Sequence, residues 1–142
     1  MACHRRGATL AELCVVLGIM SALFIIAMPR LRGARDRAAV RGAIQEADAL
    51  LSFARQAAIT RRAAVAVMID SSNGAISVQS GPLVLAAQSL WGRYGVRVSS
   101  SRDSMAYDPR GLGYGAANLT IVARKARAAE TLFVSRLGRA RH

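Results

Sequence analysis

The chain has 142 residues, enough for one domain with one modest core. Lys and Arg number 20 against 8 Asp and Glu, and a net charge of +12 favours polyanionic neighbours such as nucleic acid, anionic lipid or an acidic protein surface. The histidines are His4 and His142 and the cysteines Cys3 and Cys14, so the stretch between has no histidine base, metal cluster or disulfide, which argues against an enzyme and against any cofactor. Lysine occurs once, at Lys125, and every other basic residue is arginine. A GC-rich coding sequence gives the same bias, so charge alone does not decide for a polyanion.

Residues 1–7, MACHRRG, are short, polar and positive. From Ala8 to Met28 the chain is apolar, with Glu12 its only charge, and Pro29, Arg30 and Arg32 close the block. As a helix these residues reach about 31 Å, enough to cross a bilayer core. Arg5 and Arg6 ahead of the block predict a cytoplasmic N-terminus. A secretory signal peptide fits poorly, since the stretch is long and no small-x-small cleavage site follows Met28. A plain single-pass anchor fits better, but Glu12 argues against it. An ionisable group at bilayer depth costs roughly 2.5–3.5 kcal/mol at the centre and less near the interface, and it needs a positive partner.

Gly7-Ala8-Thr9-Leu10-Ala11-Glu12 resembles the prepilin processing motif of type IV pilins and type II secretion pseudopilins. The resemblance implies cleavage by prepilin peptidase between Gly7 and Ala8, N-methylation of Ala8, and Glu12 as the assembly residue that meets a neighbouring subunit's N-terminal amine. It also implies that Pro29 is the helix-kinking proline. Ala8 stands where the family usually has phenylalanine, and Ala11 where it has a larger aliphatic residue.

Beyond Pro29, Val40, Ile44, Ala47, Leu51, Ala54 and Ala58 recur at steps of three and four, the spacing of one helix face. The period then changes to two. Residues 63–70 and 75–80 flank Ser71-Ser72-Asn73-Gly74 and predict a hairpin. Residues 81–95 carry no clear period. Residues 96–100 and 104–108 read as short strands, 109–115 as a loop, and 118–123 with 130–135 as a second hairpin across the basic turn Arg124-Lys125-Ala126-Arg127. The expected fold is α+β: a long, kinked N-terminal helix packed on an antiparallel β meander. Its parts are a leader at 1–7, a transmembrane and filament-core helix at 8–29, an amphipathic continuation at 30–60, and a β-rich domain at 61–142 with a basic tail.

Tyr107-Asp108-Pro109-Arg110-Gly111, followed by a hairpin and the Ser135-Arg136-Leu137-Gly138-Arg139-Ala140-Arg141 ending, resembles the GspH/FimT-type minor pseudopilins. The resemblance implies a pilin-like subunit of a type II secretion pseudopilus or type IV pilus, anchored by one span in the inner membrane with its C-terminal domain outside the cytoplasm. Its partners would be prepilin peptidase and other pilin or pseudopilin subunits. An extended tail projects Arg139 and Arg141 to one side, about 6.6 Å apart. In the FimT branch a Gly-Arg-x-Arg ending is linked to DNA binding in natural transformation, so double-stranded DNA is the alternative partner. The residues for it would be Arg136, Arg139 and Arg141, with Arg124, Lys125 and Arg127 from the turn. Without a recognition helix such binding would be sequence-independent. The competing reading gives these arginines to partner subunits or lipid.

Overall fold

A computed structural model describes residues 9–114, 118–135 and 140–141. The chain divides into two compact units, residues 1–34 and 35–142. Helix α1, Leu10–Arg61, includes Pro29 and contributes to both.

In the first unit every side chain from Thr9 to Arg32 is exposed, Leu10, Phe24 and Ile25 among them. Ser21 donates its hydroxyl to the Leu17 carbonyl, which satisfies that polar group within the helix. The segment is long and apolar enough to cross a membrane.

The second unit holds the core. On α1 the buried face includes Val40, Ile44, Ala47, Leu51, Ala54 and Ala58, the six positions of the sequence stripe, and widens to Ala43, Leu50 and Ala57. Small alanines between larger aliphatics let strands approach the helix closely without voids. Against this face lie two antiparallel sheets built from β1 (Val65–Asp70), β2 (Ala75–Ser80), β3 (Leu83–Ser89), β4 (Arg97–Ser100), β5 (Ser104–Tyr107), β6 (Gly113–Tyr114), β7 (Leu119–Lys125), β8 (Ala128–Val134) and β9 (Ala140–Arg141). The first sheet runs β3-β2-β1-β5-β6 and the second β4-β7-β8-β9. Alternate residues point inward, as in β1, where Val65, Val67 and Ile69 are buried and Met68 and Asp70 are exposed.

The expected hairpins form: β1 pairs β2 from Asp70–Ala75 outward, and β7 pairs β8 from Lys125–Ala128 outward. Three expectations are corrected, and the segment without a clear period takes on structure. The strands are not a simple meander, because β4 leaves the first sheet to pair with β7 while β5 returns to pair with β1. Residues 83–89 form an edge strand, and helix α2 (Leu90–Tyr94) carries the chain to the second sheet. Arg124 and Lys125 belong to β7, which leaves only Ala126 and Arg127 in the turn. Within the loop expected at 109–115, Gly113 and Tyr114 pair with β5.

Candidate functional site

At the start of α1, Thr9 and Glu12 cap each other. The Glu12 amide donates to Thr9 Oγ1 at 3.3 Å, and the Thr9 amide donates to Glu12 Oε2 at 3.4 Å. This is a capping box, and Thr9-x-x-Glu12 is its sequence signature, which the processing motif overshadowed. The carboxylate is turned back toward the residue that follows Ala8. Gly7 and Ala8 lie outside the described residues.

The C-terminal candidates spread over both faces of the second sheet. Register decides which side chains share a face, because residues paired across an antiparallel ladder point the same way. Arg97 pairs with Arg124, Ser99 with Val122, Thr120 with Phe133, and Phe133 with Arg141. Arg97, Arg124, Phe133 and Arg141 therefore share one outer face, and all four are exposed. Lys125 points to the opposite face, where its ammonium donates to the Tyr94 carbonyl at 2.7 Å. Arg127 is exposed in the turn. Arg136 and Arg139 fall outside the described residues.

Sequence reading missed two clusters. The first surrounds Tyr94, whose hydroxyl donates to Glu46 Oε2 at 2.9 Å, while Arg93 Nη1 donates to both oxygens of the same carboxylate at 2.9 Å. The Glu46 carboxylate raises the Tyr94 pKa. With Lys125 on its carbonyl, Tyr94 ties α2 to α1 and to β7. No local pattern signals such a tie, because its partners lie 31 to 48 residues apart.

The second cluster is a cleft of about 590 Å³ lined by Ser71, Ser72, Trp91, Arg97, Ser99 and Arg124, among others. One rim is the β1–β2 turn. Asp70 Oδ1 accepts from the Ser72 amide at 2.9 Å and the Asn73 amide at 3.1 Å, and Oδ2 from Asn73 Nδ2 at 2.6 Å. Side-chain bonds from Ser72 and then Asn73 lower the Asp70 pKa to about 2. The turn closes on Gly74, whose φ of +58° is left-handed and whose carbonyl accepts from the Leu90 amide at 2.9 Å.

The Asp108 loop is compact in the same way. Its carboxylate accepts from the amides of Arg110 and Leu112 at 2.9 and 2.8 Å, and Gly111 at φ +78° seats the loop against Ile59 and Arg55 of α1. Asp108 and Gly111 thus have a folding role. Tyr107, buried beside the loop, has a hydroxyl without a hydrogen-bond partner among the described residues, and desolvation pushes its pKa to about 12. Among the described residues no three His, Cys, Asp or Glu side chains converge as metal ligands would.

Residues 43–138 match the model of the family described as type II transport protein GspH. The chain belongs to the GspH family. The match spans residues 43–61 of α1 and all strands from β1 to β8, so the GspH assignment rests on the domain rather than on the apolar segment. The fold is that of the pilins. A crystal structure of the type IV minor pilin FimU of Pseudomonas aeruginosa (strain PAO1) aligns with TM-score 0.61 at 17% identity, over 72% of this chain and 86% of that one. A second crystal form of FimU aligns with TM-score 0.59 at 16% identity, over 71% and 90%. No curated protein sequence matches the chain. GspH membership and the pilin fold mark a pilin-like structural subunit of the minor pseudopilin type, with one apolar helix fit to serve as a single-pass anchor.

Proposed function

We propose that the chain is cut behind Gly7 by prepilin peptidase, methylated at Ala8, and assembled as a minor subunit of a type II secretion pseudopilus or a type IV pilus. The observation that carries this reading is the exposure of the apolar half of α1, where no residue from Leu10 to Met28 is buried. Burial is worth roughly 1.5–3 kcal/mol per large aliphatic side chain, so this surface needs lipid first and neighbouring helices afterwards. Arg5 and Arg6 support an N-terminus on the cytoplasmic side of the inner membrane. The Glu12 carboxylate, already turned toward the helix start, suits the amine of a neighbouring subunit. Co-expression with prepilin peptidase tests the first step. The expected product begins at Ala8 and carries one methyl group, and Gly7→Leu abolishes it; an intact leader in the parent chain rejects the reading.

A second reading, sequence-independent binding of double-stranded DNA, is favoured by β9. Its pairing with β8 brings Arg141 to the exposed face that carries Arg124 and Arg97. Guanidinium forks on one face suit successive phosphates. The test is duplex binding by the full chain in zwitterionic detergent across a salt series, with Arg139→Ala/Arg141→Ala as comparison. Affinity should fall by about 0.9 log units per log of salt for each phosphate neutralised, with a shallower slope in the variant. Equal slopes remove the tail from the site.

A further inference from the structure

Arg97 and Arg124 sit directly opposite each other across the β4–β7 ladder, both exposed. Like charges in that position repel, and neither has a carboxylate partner among the described residues, where the ion pair is Arg93–Glu46. An anion supplied from outside would relieve that repulsion. The pair lies on a cleft, not a flat surface, and its volume of about 590 Å³ is within the ~300–1,000 Å³ range of small-ligand sites. The same cleft is lined by Trp91, which is 53% exposed, and by Ser71, Ser72 and Ser99.

The backbone of Trp91 is held in place. Ser89 caps α2 by accepting from the Gly92 amide at 3.0 Å, and the Leu90 amide is tied to the Gly74 carbonyl. A β-carbon on Gly74 would come within 3.1 Å of Trp91 Cβ, so turn and tryptophan are in close contact. Asp70, the acid that begins the turn, is engaged by Ser72 and Asn73. A half-exposed aromatic side chain, two arginines paired across the ladder and a hydroxyl rim together suit a flat ring joined to a phosphate.

We propose that this cleft binds an unpaired nucleotide of a single-stranded nucleic acid, with the base on Trp91 and its phosphate between Arg97 and Arg124. In a duplex the bases are stacked and paired and offer no free face to Trp91. The proposal shares its ligand class, Arg97 and Arg124 with the second reading above; Trp91 and the serine rim are new to it.

Trp91 is the sole tryptophan of the chain, so its emission reports on the cleft directly. Full-length protein in zwitterionic detergent is titrated with a short oligothymidylate, the corresponding duplex, poly-glutamate and inorganic phosphate. The oligothymidylate quenches the emission, and duplex and poly-glutamate leave it unchanged at equal charge. Arg97→Ala/Arg124→Ala weakens oligothymidylate binding about tenfold or more. By anisotropy of labelled oligonucleotide, Trp91→Ala loses binding that Trp91→Phe largely keeps, which separates stacking from a general loss of fold. Emission unmoved by oligothymidylate, or affinity unchanged in the double-arginine variant, overturns the proposal. Equal quenching by poly-glutamate overturns it in favour of an acidic peptide. Binding lost in Arg139→Ala/Arg141→Ala but kept in Arg97→Ala/Arg124→Ala overturns the cleft and leaves the tail reading standing.

Discussion

The ring of Tyr94 lies over Gly42 so closely that a β-carbon at Gly42 would stand 2.7 Å from Tyr94 Cε1. The ring is fixed at its far end by Glu46 and through its backbone by Lys125, so it has little freedom to retreat. Alanine in place of a helical glycine ordinarily gains about 1 kcal/mol, and overpacking costs about 1–3 kcal/mol. Gly42→Ala should therefore lower stability by on the order of 1 kcal/mol, and Gly42→Val by more. Urea denaturation followed by Trp91 emission measures both. A more stable Gly42→Ala would show that the ring moves freely.

Gly111 combines a left-handed backbone with tight packing: its φ is +78°, and an added β-carbon would meet Ile59 Cδ1 at 2.7 Å. The backbone penalty is about 1–2 kcal/mol and overpacking adds about 1–3 kcal/mol. Gly111→Ala should cost about 2–5 kcal/mol in the same denaturation assay, more than Gly42→Ala. Parity between the two variants would mean that the Asp108 loop can leave the helix without loss.

The Asp70 turn carries a defined pH dependence. The folded-state pKa of about 2 lies below the ordinary 3.8, so the carboxylate stabilises the fold above about pH 4 and loses that contribution as pH falls through 2. Asp70→Ala should melt below the parent chain at pH 5, with the gap narrowing between pH 4 and pH 2. A gap that stays constant over that range would assign the effect to shape rather than charge.

Tyr107 is buried, and its hydroxyl has no hydrogen-bond partner among the described residues. An unsatisfied buried hydroxyl costs about 1–3 kcal/mol. Tyr107→Phe should leave the packing intact and raise stability by about 1 kcal/mol. The pKa raised to about 12 has a second consequence: parent stability falls as pH rises from 10 through 12, and the Phe variant lacks this component. Destabilisation of the Phe variant at neutral pH would reveal a partner for the hydroxyl.

What was legible in the sequence had a short period. The stripe from Val40 to Ala58, the alternation in β1 and the Asn73-Gly74 turn each repeat within a few residues, and the structure follows them. Residues 83–89 resisted because an edge strand alternates little between core and solvent: Leu83 and Val84 are both exposed, and Leu85 and Ala86 both partly buried. The two-sheet arrangement depends on β4 choosing β7, a pairing between residues more than twenty apart that no local pattern encodes. The basic run 124–127 looked like one patch. One residue of alternation separates Arg124 from Lys125, and β7 extends through both, so they face opposite ways. The cleft needed Trp91, Arg97 and Arg124 from three elements, and Trp91 lay in the segment without a period.

In the proposed assembly, Glu12 directs this subunit into a filament. The most direct measurement is the amount of processed protein recovered in sheared pilus or pseudopilus fractions from cells making the parent chain or Glu12→Ala, with processing followed by mass. The account predicts normal cleavage of both chains, parent subunit in the filament fraction, and at least a tenfold loss of Glu12→Ala from it. Equal recovery of the two chains in filaments would contradict it.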